Sequence, residues 1–460
     1  MHLKPARIAL LLFLALLSKP LFAQKPAWDP FLDTLQHRTF LFFWDCTDPN
    51  TGLTPDRYPT RTFSSTAAIG FALTSYGIGA DRGYVTRNQA GQRVLTTLRY
   101  LWKAQQGAAS EGCSGYKGFF YHFLSFQEGT RFTKDIELSS MDTGLLMAGV
   151  LFCQSYFSKS NAVEKEIRQY ADSLYRRVDW DWMRNNSGLL SMGWFPERGF
   201  IGSYWRGYDE SMILCILALG SPTHAVGADV WVGRTSGYVW AKYYGKEFVS
   251  FGPLFGHQYS HCWIDFRGIY DTYMKNKGID YFENSRRATY THRAYGKENP
   301  HQWCGYSDSL WGWTACDGPG DAVLNIDGKH MKFQGYSARG VSVDWMNDDG
   351  TIAPTAAGGS VAFAPEISVT ALKTMRTRYG DILWRRYGFA DAFNPTFVTS
   401  STSPKGWVAV DYLGIDQGPI EIMIENLRSE LVWNVMKKNP YVVRGLRRAG
   451  FTGGWIEEKK

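Results

Sequence analysis

The chain has no CxxC pair, no HExxH motif, no basic run and no internal repeat. Each absence excludes a class. Without HExxH, the His257/His261 pair, four residues apart, does not make a zinc-hydrolase helix, and neither a metal nor any other cofactor is expected. Without a basic run, a net charge of +7 spread over 460 residues gives no nucleic-acid footprint. Without a repeat, an open α-solenoid is disfavoured. No Pro/Gly/Ser-rich linker divides the chain, so residues 24–460 are expected to form one domain. Apolar runs of membrane length are also missing. The run at 8–17 is shorter than the ~20 residues a bilayer span needs.

That run has another reading. Lys4 and Arg7 precede it and small Ala23 follows, the pattern of a signal peptide over 1–23. The mature protein is expected to be exported, periplasmic or secreted, monomeric and free of the membrane. No cysteine closely follows the run, which argues against a lipid anchor. Seven cysteines leave at least one unpaired. Cys153 and Cys215 lie in apolar runs and read as core. Cys304, Cys316 and Cys113 are the disulfide candidates, with the pairing left open.

Aromatic residues are plentiful, at 16% with 18 Trp and 26 Tyr. A large aromatic core explains some of this. A carbohydrate site explains it more sharply, because indole and phenol faces stack on sugar C–H faces while their polar edges stay wet.

The stretch 203–220, SYWRGYDESMILCILALG, organises the rest. An aromatic, basic loop (Trp205, Arg206, Tyr208) leads to two adjacent acids and then to an apolar run. The run 212–219 predicts a helix buried on all sides. Asp209 is expected at the N-cap and Glu210 in the first turn. Capping alone explains such a pair in most proteins; the aromatic loop makes Glu210 a candidate acid acting on a sugar.

Helices are also expected over 29–45, 64–76, 86–105, 137–157, 162–177, 227–244, 259–276, 278–295, 364–379, 380–387 and 419–438, with Pro419 at a first helical position. Residues 119–126 and 189–195 predict short strands, and 297–363 has little helical period. Apolar helices with polar starts alternate with charged ones. That alternation predicts an all-α (α/α)6 toroid with short β pieces in its loops. In such a ring the inner helices start at one end, so acids at their starts converge. Glycoside hydrolysis needs that convergence of two carboxyl groups. Glu210 is the candidate general acid, and Asp135, then Asp142, the candidate base. Asp142, three residues after Ser139, also fits a capping box. Arg57, Tyr121, His122, Glu137, Trp205, Arg206, Tyr208, His257, Gln258, Tyr259, Glu366 and Asp411 are candidate sugar contacts. Such polar residues also satisfy buried loop backbone in large enzymes.

Six segments carry a resemblance: GLTPDR (52–57), ELSSMDTGLLMAG (137–149), YDES (208–211), GPLFGHQYSHCWIDFRG (252–268), GTIAPTAAGGSVAFAPE (350–366) and YLGIDQGPIEIMIEN (412–426). In these the chain resembles the bacterial glucoamylase-like domain family, and within it the endo-β-1,2-glucanases of glycoside hydrolase family 144. The resemblance implies an (α/α)6 barrel, hydrolysis of β-1,2-linked glucan to sophoro-oligosaccharides with inversion, and Glu210 as general acid. Exo-acting relatives on the same scaffold, and a non-catalytic glycan-binding protein, are the alternatives. A polysaccharide lyase fits less well, because an acidic pocket repels uronate chains.

Overall fold

The computed structural model describes residues 28–326 and 328–457; the expected signal peptide over 1–23 lies outside them. Helices dominate. In chain order those that build the site are α1 (Phe31–Cys46), α2 (Thr66–Arg82), α3 (Arg87–Lys103), α4 (Ser140–Tyr156), α5 (Ala162–Arg177), α6 (Met212–Gly220), α7 (Phe255–Trp263), α8 (Tyr281–Glu298), α9 (Pro354–Gly358), α10 (Pro365–Leu383), α11 (Gly414–Ser429), α12 (Leu431–Met436) and α13 (Pro440–Arg448).

Six of them form a cycle of contacts. α2 packs on α4, α4 on α6 and α6 on α7; α9 packs on α11, and α11 returns to α2. The step from α7 to α9 is a hydrogen bond, Gln258 Nε2 to the Ala356 carbonyl at 2.8 Å. Outside this cycle, α1 packs on α2 and α11, α3 on α2, α5 on α4, α8 on α7, α10 on α9 and α13 on α6. α12 packs against α2, α4 and α7.

Sequence explains which helices lie inside. Every residue of α6, MILCILALG, is buried, and each large aliphatic side chain so buried contributes roughly 1.5–3 kcal/mol. α5 has only five buried positions among charged ones, as an outer helix should. Where α2 crosses α4 the backbones meet at glycine. A Cβ on Gly149 would stand 2.1 Å from the Gly70 carbonyl oxygen, and one on Gly70 2.3 Å from that of Leu145.

Several boundaries differ from expectation. The span 364–387 holds one helix, α10, ending at Leu383, and then the first strand of a short hairpin, Trp384–Arg385 paired with Gly388–Phe389, rather than two helices. Pro419 lies inside α11, which begins five residues earlier. At that position it leaves the Ile415 carbonyl without its helical donor. The segment 227–244 splits into a short helix, Asp229–Thr235, and a strand, Trp240–Tyr243. All seven cysteines are free thiols, so no disulfide joins Cys113, Cys304 and Cys316; Cys304 is exposed and the other two are buried. No helix among the described residues is long and apolar enough to cross a membrane.

Strands are short and serve the loops. The largest sheet has five, ordered Gly115–Tyr116, Phe119–Tyr121, Leu138–Ser139, Gly193–Phe195, Gly199–Phe200. Its antiparallel register sets Tyr121 opposite Leu138. The next pair, His122 and Glu137, stays joined through the backbone, His122 N–H to Glu137 carbonyl at 3.0 Å.

Candidate active site

The starts of four inner helices open on one cavity of about 380 Å³. Met141, Asp142 and Leu145 come from α4, Glu210 from the turn before α6, Phe255 and Tyr259 from α7, and Ile415 from α11. The strand loops add His122, Glu137, Ser203 and Trp205, and the helix-poor segment adds Ala315 and Tyr336.

Glu210 is held by a tight turn. Ser211, not Asp209, is the N-cap of α6, so both acids precede the helix. Asp209 instead closes the turn, accepting from the Ser211 backbone N–H at 2.9 Å and its hydroxyl at 2.7 Å. Fully buried Arg234 pairs with Asp209 at 2.7 Å and donates to its carbonyl at 3.1 Å. Ser260 of α7 donates to the Glu210 carbonyl at 2.8 Å and accepts from the Ile213 N–H at 3.0 Å. With Arg234 committed to Asp209, burial and then the Asp209 charge push the Glu210 carboxyl up to about 8. It carries a proton at neutral pH.

Asp142 has opposite surroundings. Its backbone N–H goes to Ser139 Oγ at 3.1 Å, the N-cap bond of α4, and its Oδ2 accepts from the Ser139 hydroxyl at 2.5 Å. Its Oδ1 lies 3.4 Å from His122 Nε2. The other ring nitrogen, Nδ1, is 2.8 Å from Glu137 Oε1, and the ring stacks on Phe123 with centroids 4.0 Å apart. Burial works against the imidazolium, yet Asp142 and Glu137 outweigh it and lift His122 to about 9. Burial raises Asp142, and His122 opposes that rise.

A second group of acids lies beside Ala315, Tyr336 and Ile415. Asp391 Oδ2 accepts from the Asp317 N–H at 2.7 Å. Burial, then the Asp317 charge, pushes Asp391 up to about 7, while burial and Asp391 push neighbouring Asp416 well above the usual carboxylate range. Arg57 bridges Asp56 and Asp317 at 3.2 Å and reaches Asp411 at 3.8 Å.

Of the expected residues, the cavity therefore brings together Glu210, Asp142, His122, Glu137, Trp205 and Tyr259. Others fall elsewhere. Asp135 sits on an exposed turn outside the cavity lining. Tyr121 is fully buried in its strand, with the Arg131 guanidinium 4.9 Å from its ring centre. Arg206 is exposed outside the cavity lining. Tyr208 packs in the core on His257, centroids 4.8 Å apart. His257 and Gln258 are buried on α7, where they satisfy backbone: His257 Nε2 reaches the Phe251 carbonyl at 3.2 Å, and Gln258 fixes α9. Asp411 anchors a loop, accepting from the Thr60 N–H at 2.8 Å. Glu366 lines a different, larger cavity of about 630 Å³ between α1 and α10, where the Tyr290 hydroxyl donates to it. That cavity lies away from Glu210, and its other carboxylate, Asp29, pairs with Lys373 at 2.9 Å. Trp205 turns its Nε1 to Ser140 Oγ at 2.8 Å, so its polar edge is already bonded. Among the described residues no group of three or more His, Cys, Asp or Glu side chains is arranged to hold a metal ion.

Sequence reasoning missed Asp317 and Asp391 altogether; Asp416 stands among the acids that precede a buried helix, where capping is the alternative reading. The available signal was weak: Asp391 stands between Ala390 and Ala392 in a segment without periodicity.

Comparison with known proteins places this arrangement. The Glycoamylase family model, described as "Putative glucoamylase", matches residues 202–440. A crystal structure from Bacteroides uniformis under the same description is 32% identical, covers 92% of this chain and 97% of its own, and superposes with a TM-score of 0.81. An endo-β-1,2-glucanase from Chitinophaga pinensis, solved with sophorotriose and glucose, is 28% identical over 93% of this chain and 99% of its own, with a TM-score of 0.78. An exo β-1,2-glucooligosaccharide sophorohydrolase acting at the non-reducing end, from Parabacteroides distasonis, is 29% identical over 448 residues. That match takes in 91% of this chain but spans only 57% of the relative's length.

Proposed function

Because the chain belongs to this glucoamylase-like family of glycoside hydrolases, we propose that it cleaves the β-1,2 bonds of glucan, and that the contact cycle of α2, α4, α6, α7, α9 and α11 is the inner ring of an (α/α)6 toroid. One observation carries the reading: Glu210, whose carboxyl is pushed up by burial and by Asp209, and Asp142, whose carboxyl lies 3.4 Å from the His122 ring, face one cavity. Hydrolysis with inversion asks for that asymmetry. Glu210 donates its proton to the glycosidic oxygen as the C–O bond breaks, and a carboxylate takes a proton from the attacking water.

Asp142 is the base in this reading. A second assignment of the base is favoured by the Asp391–Asp416 pair, buried together next to Tyr336 of the cavity wall. Cleavage mode also has two versions. The Chitinophaga likeness favours internal cleavage; the Parabacteroides likeness favours release of a disaccharide from the non-reducing end.

A time course on linear β-1,2-glucan separates these. Internal cleavage gives a spread of oligosaccharides from the first minutes, and end-wise action gives sophorose alone. Early proton NMR of the same digest should show the α-anomer first; a β-anomer first means retention and overturns the mechanism. No reducing sugar from β-1,2-glucan at any enzyme concentration overturns the substrate, leaving a glycan-binding protein. Export, a single domain and a monomeric state belong to the same reading; sizing and N-terminal sequencing of the mature protein test them.

A further inference from the structure

Glu210 and Asp142 present a problem that their positions alone do not solve. Both are carboxyls lining one cavity, and two such groups tend to share protons rather than hold opposite states. Something must decide which keeps its proton. Arg234 does not serve both, since its guanidinium is committed to Asp209 and Ser211. The cation on the Asp142 side is His122.

The fold builds that cation in deliberately. The antiparallel strands put His122 directly across from Glu137, joined through the backbone at 3.0 Å. The Thr66 N–H, at the start of α2, holds the His122 carbonyl at 3.1 Å. Phe123 covers one ring face. The ring thus spans Glu137 Oε1 at 2.8 Å and Asp142 Oδ1 at 3.4 Å, one nitrogen to each. Both nitrogens have acceptors as neighbours, and only the doubly protonated ring donates to both.

We propose, resting on the reading of Asp142 as base, that His122 is a positioning residue: its imidazolium, braced by Glu137, keeps Asp142 ionised so that of these two carboxyls Glu210, and not Asp142, holds the proton. The charged groups around it support one sign. Asp142 comes from α4, Glu137 from the residue before the strand Leu138–Ser139 and Asp56 from the loop before α2, all favouring the cation. Of the neighbouring cations, Arg57 pairs with Asp56 and Asp317 at 3.2 Å each and so offsets the share of Asp56, while Arg131 pairs with Glu197 at 2.8 Å; Asp142 and Glu137 are left to His122. Glu137 and His122 are then not sugar clamps but a charge brace behind the base.

Two measurements test this, and they fail separately. The first needs no substrate: NMR titration of the His122 imidazole in the intact protein. The midpoint should lie well above the ordinary histidine value of about 6.5, and should fall in Glu137→Gln and in Asp142→Asn. A midpoint at or below the ordinary value overturns the proposal whatever the enzyme cleaves. The second is the pH profile of kcat/KM on β-1,2-gluco-oligosaccharides. An opposite charge within a few ångströms lowers a carboxyl by about 1–3 pH units. In His122→Gln, therefore, the acidic limb should move up by about 1 pH unit or more, with a smaller move in Glu137→Gln and a basic limb that stays nearer its place. A rise in KM with both limbs fixed would make His122 a sugar clamp and overturn the brace. A uniform loss with both limbs fixed, in a variant with wild-type thermal stability, would overturn it too. If His122 titrates as proposed but Asp142→Asn keeps full turnover, the brace stands as a physical fact, and it is the assignment of the base to Asp142, with the role built on it, that fails.

Discussion

Replacing Glu210 by Gln should trade activity for stability, and the exchange has a defined pH dependence. The carboxyl titrates at about 8 in the folded chain against 4.5 as its ordinary value. The folded state therefore binds the proton more tightly than the unfolded one. Below pH 4.5 both states are protonated and the group costs nothing. As pH rises the unfolded chain ionises while the folded one does not, so stability falls until about pH 8, where the folded group ionises as well. Each pH unit within that window is worth about 1.4 kcal/mol. At pH 7 the wild type should thus be weakened by about 3 kcal/mol relative to a non-ionising side chain of the same shape. Part of the Glu210 shift comes from the neighbouring Asp209 charge, and the expected gain for Glu210→Gln is about 2 kcal/mol. Removing the general acid should lower kcat by about 10²–10⁴. Denaturant unfolding of both proteins at pH 4.5, 6, 7 and 8, with kcat on β-1,2-glucan at each pH, measures the two effects. The stability curves should meet near pH 4.5 and separate toward pH 8. A variant that is no more stable at pH 8 than at pH 4.5, relative to wild type, and that still turns over, would show Glu210 to be an ordinary turn residue.

The other expectations are briefer. Asp142→Asn and Asp391→Asn should separate the two assignments of the base: the true base loses about 10²–10⁴ in kcat, while the other variant changes mainly KM, and equal small effects in both would refute the pair. Gly149→Ala should lower the melting temperature markedly, because its Cβ would stand 2.1 Å from the Gly70 carbonyl oxygen; overpacking of this kind typically costs about 1–3 kcal/mol, and an unchanged melting temperature would mean that α2 and α4 can move apart freely.

Much of this was legible because local signals agreed with tertiary need. The run MILCILALG admits only a buried helix, and the aromatic loop before it marked Glu210. Asp142 was legible as the partner of the Ser139 cap and as a candidate acid, and the structure bonds it to Ser139 and sets it in the cavity wall. The misreadings share a cause. Gln258 and His257 look like ligands in sequence, but their partners, the carbonyls of Ala356 and Phe251, are polar groups that only the folded chain brings near. Asp135 lies in the same acidic segment as Glu137 and differs only in the strand that begins at Leu138, which turns one toward the cavity and leaves the other in water. Asp317 and Asp391 are separated by 74 residues and meet through one backbone N–H, a contact with no pattern in the sequence. Pro419 suggested a helix start because proline tolerates that place; α11 instead accommodates it inside, one turn after Ile415, the residue by which the helix lines the cavity.

The glycine crossing of α2 and α4 has a consequence for how this protein should fail on heating. The two helices touch backbone to backbone, and α2 also takes up the loop that carries His122: its Thr66 hydroxyl donates to the Tyr121 carbonyl at 2.6 Å and its N–H to that of His122. Scaffold and chemistry are thus fastened at the same joint. Many enzymes lose activity well before they unfold, because the site rides on loops that loosen first. Here the loop carrying the imidazolium is part of the joint between two inner helices, so heat inactivation and global unfolding should arrive together, as a single event.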